Sequence, residues 1–180
     1  MARIEEETGV KVRWAPWEGR PEGVPFLERT PEEVEKLHAK HMTLGAKYGV
    51  APIFPWRKCR TRRAHQATLF ARDHGRLEAF RDAVFHARFQ EDLDIGDPEV
   101  LIALAERVGL DGPGLREALE RERYAAELDA WRQKGESLGV RGIPTYVVNG
   151  RTFWGVDPTE DVLEALGRGA GGSARGPASL

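Results

Sequence analysis

The chain of 180 residues contains one cysteine, Cys59. A single thiol excludes an internal disulfide and any metal site built from several cysteines. Long apolar runs are also missing. No stretch approaches the roughly 20 apolar residues that a membrane-spanning helix needs, and the mean hydropathy is −0.50. Charge of one sign is not in excess: the net charge is −2 and the pI about 6.2. That balance argues against the wide basic footprint of a nucleic-acid-binding domain or of a protein drawn to anionic membranes. The opening "MARIEEETGV" is acidic and has no apolar signal core, so the expectation is a cytoplasmic protein.

What remains is a soluble globular composition, 41% hydrophobic and 31% charged, able to bury a core. "ARIEEETG" reads as the end of a helix closing at Gly9. "VKVRW", residues 10–14, alternates apolar and charged residues and predicts a half-buried strand. Residues 15–29 are rich in proline and glycine and predict an irregular connection. Thr30-Pro31-Glu32-Glu33 carries a capping box with proline at the first helical position, opening a helix that runs to about Tyr48. "VAPIFPW" predicts a loop, because its prolines cannot continue a helix.

From Thr61 to Gly109 the pattern is helical in three pieces, punctuated by Gly75 and by the cap Asp97-Pro98-Glu99. Residues 115–138 predict one more helix with charge pairs four apart. After Gly139 the period becomes strand-like. "TYVV" and "RTFW" flank Asn149-Gly150, a strong hairpin signal. The first strand is expected to join this hairpin in one sheet. Asp157-Pro158-Thr159-Glu160 caps a last helix, and residues 167–180 read as a disordered tail.

The segment "GVRGIPTYVVNGRTFWGVDPTE", following a strand and the helical stretch "FARDHGRLEAFRDAVFHARFQEDLDIGDPEVLIALAERVGLD", resembles the DsbA-like branch of the thioredoxin superfamily. That branch includes FrnE-type oxidoreductases, 2-hydroxychromene-2-carboxylate isomerases and kappa-class glutathione transferases. The resemblance implies an α/β fold: a thioredoxin-like sheet, N-terminally incomplete here, with a large all-helical insertion. The implied domains are 1–29 with 139–166 for the thioredoxin-like part and 30–138 for the insertion. It further implies that Pro144 is cis and that Ile143, Pro144 and Thr145 bind substrate, a thiol or disulfide peptide or glutathione.

The C-x-x-C or S-x-x-x segment that opens this family's first long helix does not occur in this chain. The catalytic nucleophile is therefore unknown, and one expectation is that it is encoded upstream of Met1. The resemblance implies a thiol–disulfide oxidoreductase-like protein inactive in dithiol exchange. The alternatives are a glutathione-dependent isomerase-like protein and a non-catalytic module completed by a partner strand or a homodimer. Glutathione enters as substrate or cosubstrate; no other cofactor is expected.

Two further features compete for function. Cys59 lies among Arg57, Lys58, Arg60, Arg62 and Arg63, and positive charge favours a reactive thiolate. Its position does not match the family's nucleophile, so the competing reading is an incidental cysteine. The same basic run could hold an anion, or be a solvated surface. Glu35, His38 and His41 step by three on one helix and splay apart, so no metal site is expected. The five tryptophans are expected in the core or lining a cleft.

Overall fold

A computed structural model describes residues 2–49, 58–155 and 159–169. Along the chain come α1 (Ala2–Thr8), α2 (Pro31–Lys47), α3 (Arg62–Asp73), α4 (Leu77–Gln90), α5 (Pro98–Arg107), α6 (Gly112–Glu120) and α7 (Ala125–Ser137). The hairpin β1 (Thr145–Val148) and β2 (Arg151–Trp154) follows, then α8 (Thr159–Gly169). No described helix is long and apolar enough to cross a membrane.

The chain divides into two compact units, Met1–Gly19 with Ala130–Leu180, and Arg20–Asp129. The sequence had placed the corresponding divisions at 29/30 and 138/139. The second unit is helical, and its core follows from helical spacing. Ala64, Ala67 and Ala71 of α3 are buried, as are Phe80 and Ala87 of α4, Leu101 and Leu104 of α5, and Leu115 of α6. α3 packs on α4, α5 and α6, and α5 packs on both α4 and α6. Local caps start these helices. Thr30 and Glu33 form the expected reciprocal capping box on α2, and the Asp97 side chain accepts from the Glu99 N–H at 2.9 Å on α5.

The helix expected over 115–138 is instead two, α6 and α7, separated at residues 121–124. The Arg123 N–H bonds the Ala118 carbonyl at 2.9 Å and the Glu122 N–H bonds Leu119 at 3.1 Å. Glu122 sits between them with φ of 47°, so α6 closes through a left-handed residue that is not glycine. The break places Tyr124 in the core at 5% exposure. Its hydroxyl donates to Asp73 Oδ2 at 2.9 Å, and Arg72 bridges Asp73 and Glu127.

In the other unit the sheet has two described strands, β1 and β2, antiparallel. The expected strand over residues 10–14 does not form; that segment is irregular. A strand is held by a neighbour's ladder, and here side chains take the backbone donors instead. The Val10 N–H bonds Thr8 Oγ1 at 3.1 Å, and the Val12 N–H bonds Glu5 Oε1 at 2.8 Å. The hairpin turns at Asn149 and Gly150, with φ of 49° and 76°, the paired left-handed conformation of a type I′ turn. Asn149 Nδ2 also donates to the Ala165 carbonyl at 3.2 Å, tying the turn to α8. α8 packs on β1 and on α1, with Ile4, Val162 and Ala165 buried. It continues to Gly169, into the stretch read as a tail. Residues 170–180 and the expected cap residues Asp157 and Pro158 lie outside the described residues.

Candidate functional site

The hairpin begins on the loop that the sequence singled out. The register sets Thr145 opposite Trp154, Tyr146 opposite Phe153, Val147 opposite Thr152 and Val148 opposite Arg151. Side chains alternate along a strand, so Thr145, Val147, Thr152 and Trp154 share one face, and Tyr146, Val148 and Phe153 the other. The first face is open: Trp154 is 73% exposed and Val147 44%. A two-residue turn closes on a hydrogen-bonded pair, Val148 with Arg151. The pairs Thr145–Trp154 and Val147–Thr152 are therefore the non-hydrogen-bonded ones. The N–H and C=O groups of Thr145 and Val147 thus point away from β2, toward an edge that no other described strand covers.

The Ile143–Pro144 peptide is cis, as the resemblance implied. Two hydrogen bonds hold the loop around it. The Thr145 hydroxyl donates to the Gly142 carbonyl at 2.6 Å, and the Gly155 N–H donates to the Pro144 carbonyl at 3.1 Å. Thr145 therefore uses its hydroxyl to fold the loop. Ile143 is left 67% exposed, and its N–H and C=O make no hydrogen bond among the described residues.

Gly142 explains why Trp154 lies beside this loop. A Cβ at Gly142 would fall 2.8 Å from Trp154 Nε1, closer than non-bonded atoms approach. The bare backbone admits the indole. In sequence Trp154 stands only among five tryptophans expected in the core or lining a cleft, with nothing that ties it to this loop in particular. The only signal was the wording "RTFWG" after an Asn-Gly turn. None of the four described tryptophans is fully buried, and Trp56 lies outside the described residues.

Cys59 belongs to the helical unit, partly buried against its core. Burial and a hydrogen bond with Asp94 push its thiol up, and the opposing attraction of Arg88 is weaker. The described arginines around Cys59 are engaged elsewhere. Arg60 donates to the carbonyls of Arg20, Pro21 and Val24 and stacks on Phe26. Arg62 forms a forked pair with Asp129 at 3.0 and 3.3 Å, and Arg63 donates to the Gly96 carbonyl. Arg57 lies outside the described residues. Arg60, Arg62 and Arg63 thus brace the helical unit. Alkylation of Cys59 in the folded chain at neutral pH should therefore run roughly tenfold or more slower than in denaturant. Equal rates would contradict this placement.

Among the described residues, no group of three His, Cys, Asp or Glu side chains is placed to hold a metal ion.

The sequence model of the family described as DSBA-like thioredoxin domain matches residues 1–167. The uncharacterised protein YwbO of Bacillus subtilis (strain 168) is 31% identical over 160 residues, covering 86% of this chain and 80% of YwbO. The 2-hydroxychromene-2-carboxylate isomerase of Sphingobium xenophagum is 34% identical over 99 residues, 55% of this chain and 50% of the isomerase. Among solved structures, a probable DsbA oxidoreductase from Streptomyces coelicolor superposes with a TM-score of 0.72 at 28% identity, over 84% of this chain and 66% of that one. A 2-hydroxychromene-2-carboxylate isomerase structure superposes with a TM-score of 0.76 at 18% identity, over 94% and 86% of the two chains, a likeness of fold. The chain thus spans just under two thirds of the Streptomyces structure.

Proposed function

Because this chain belongs to the DSBA-like thioredoxin domain family, we propose that its Ile143–Thr145 loop receives an extended thiol compound, a cysteine-bearing peptide or glutathione. The observation that carries this reading is the unengaged backbone of the exposed Ile143. It continues directly into the open edge of β1. An extended ligand can pair with such an edge through its main chain.

The chain is DsbA-like in fold but holds one thiol. A dithiol cycle forms a mixed disulfide with one cysteine and resolves it with a second. A single Cys59, raised toward its protonated form, is slowed in forming a mixed disulfide and has no second thiol in the chain to resolve it. The chain should leave insulin disulfides reduced no faster than dithiothreitol alone does. Catalysis above that background, surviving in Cys59→Ser, would show that another group performs exchange.

A second reading, a glutathione-dependent isomerase-like protein, is favoured by the 34% identity with the Sphingobium isomerase. Both readings use the same loop and differ in the ligand. Calorimetric titration separates them: glutathione binding without cysteine-peptide binding favours the isomerase-like reading, and the reverse favours the oxidoreductase-like one. Binding of neither would count against the loop as a thiol site.

A further inference from the structure

The hairpin leaves large apolar side chains in water beside the Ile143–Thr145 loop. Trp154, Ile143 and Val147 are all exposed, and apolar groups gathered at one place mark binding surfaces more often than scattered ones do. The indole is held where it stands. Its Nε1 lies 2.8 Å from the position a Cβ on Gly142 would take, with Cε2 at 3.6 Å and Cδ1 at 3.7 Å. The nitrogen-bearing edge of the ring therefore rests on the bare Gly142 backbone. Gly155, the next residue, is tied to the Pro144 carbonyl at 3.1 Å. Trp154 thus leans over the chain that leads into β1.

The face that carries the indole is uncharged. Its members on the two strands are Thr145, Val147, Thr152 and Trp154. Alternation sends Arg151 to the other face with Phe153, where its guanidinium carbon lies 5.1 Å from the Phe153 ring centroid. A carboxylate or an ammonium of a ligand finds no partner on the open face. An apolar side chain does, because it can cover the indole as it leaves water.

The open edge of β1 sets where that side chain falls. An extended ligand on the edge runs about 4.8 Å from β1. The N–H and C=O of Thr145 point outward, so an antiparallel ligand residue opposite Thr145 exchanges both main-chain hydrogen bonds with it. Paired residues share a face, and this one sends its side chain to the face of the indole. With the ligand cysteine set at Ile143, the residue opposite Thr145 stands two positions earlier in the ligand. We infer that Trp154 determines the specificity of this loop by selecting a peptide with a large apolar side chain two residues before its cysteine, a selection that rests on the loop's proposed role as a thiol site. Glutathione carries no apolar side chain and gains nothing from the indole.

Calorimetric titration of the full chain with two reduced, end-blocked peptides, Gly-Phe-Gly-Cys-Gly and Gly-Gly-Gly-Cys-Gly, tests it. The phenylalanine peptide should bind with a Kd roughly tenfold lower. Trp154→Ala should bring the two Kd values together by weakening the phenylalanine peptide alone. Trp154→Phe keeps an aromatic surface and should keep most of the preference. Trp154 is 73% exposed, so neither substitution empties a core, and circular dichroism confirms that each variant is folded. Equal binding of the two peptides by the wild-type chain overturns the inference while leaving the loop standing as a thiol site. A preference that survives in Trp154→Ala overturns it as well. Binding of neither peptide overturns the peptide reading of the loop and this inference with it.

Discussion

Phe80→Ala is expected to destabilise the helical unit by about 3–5 kcal/mol. Phe80 lies on α4 at 0% exposure, within the cluster that also buries Leu101, Leu115 and Leu128 at 0%. Truncation removes the ring's transfer free energy and leaves a cavity that the surrounding helices only partly close. Domains of this kind are held by about 5–15 kcal/mol in total, so one substitution takes a large share. Urea denaturation followed by circular dichroism reads the loss as a lowered midpoint. The control is on the same helix. Phe85 is 50% exposed and stacks on Phe89 with ring centroids 5.9 Å apart; Phe85→Ala should cost no more than about 1 kcal/mol. Equal losses in the two variants would contradict the placement of the core.

Acid should weaken the same unit through His65. This imidazole sits on α3 between Ala64 and Gln66, both buried. Burial pushes it down to about 4 from an ordinary value of 6.5. In the folded chain it stays neutral to about pH 4, whereas in the unfolded chain it takes up a proton near 6.5. Between these values the unfolded state binds more protons, so stability rises with pH there. This contribution is fully present above pH 6.5 and falls away as pH drops toward 4. With His65 partly accessible, the swing is about 2 kcal/mol. Melts of the wild type and His65→Gln at pH 7.5 and at pH 5 measure it. The wild type should lose more stability across that interval, and parallel losses would place His65 in contact with solvent.

Features set by neighbouring residues in the chain were legible in the sequence. The Thr30–Glu33 box, the Asp97 cap and the Asn149-Gly150 turn are each decided within a few positions, and each stands where the pattern put it. Features set at a distance were not. Residues 10–14 alternate like a strand, but a strand needs a partner, and Glu5 and Thr8 take its donors instead. The break at 121–124 carries no glycine or proline; it follows from Glu122 adopting a left-handed conformation and from Tyr124 reaching Asp73.

The site divides in the same way. The loop at Ile143-Pro144 announces itself by its proline before a β run. The exposure of Trp154, and the room that Gly142 leaves for its indole, depend on how the hairpin folds back on the loop. In the basic run around Cys59, Arg60 and Arg63 are spent on carbonyls and Arg62 on Asp129. Charge near a thiol in sequence is not charge near it in space.

The most direct test of the account is a nitrogen-15 NMR titration of the chain with glutathione and, separately, with a short cysteine-bearing peptide. One of the two should shift the Ile143 and Thr145 amides and the Trp154 indole in a saturable way, while the Cys59 amide stays in place. Shifts confined to the surroundings of Cys59, or no saturable shift at the loop with either compound, would contradict it.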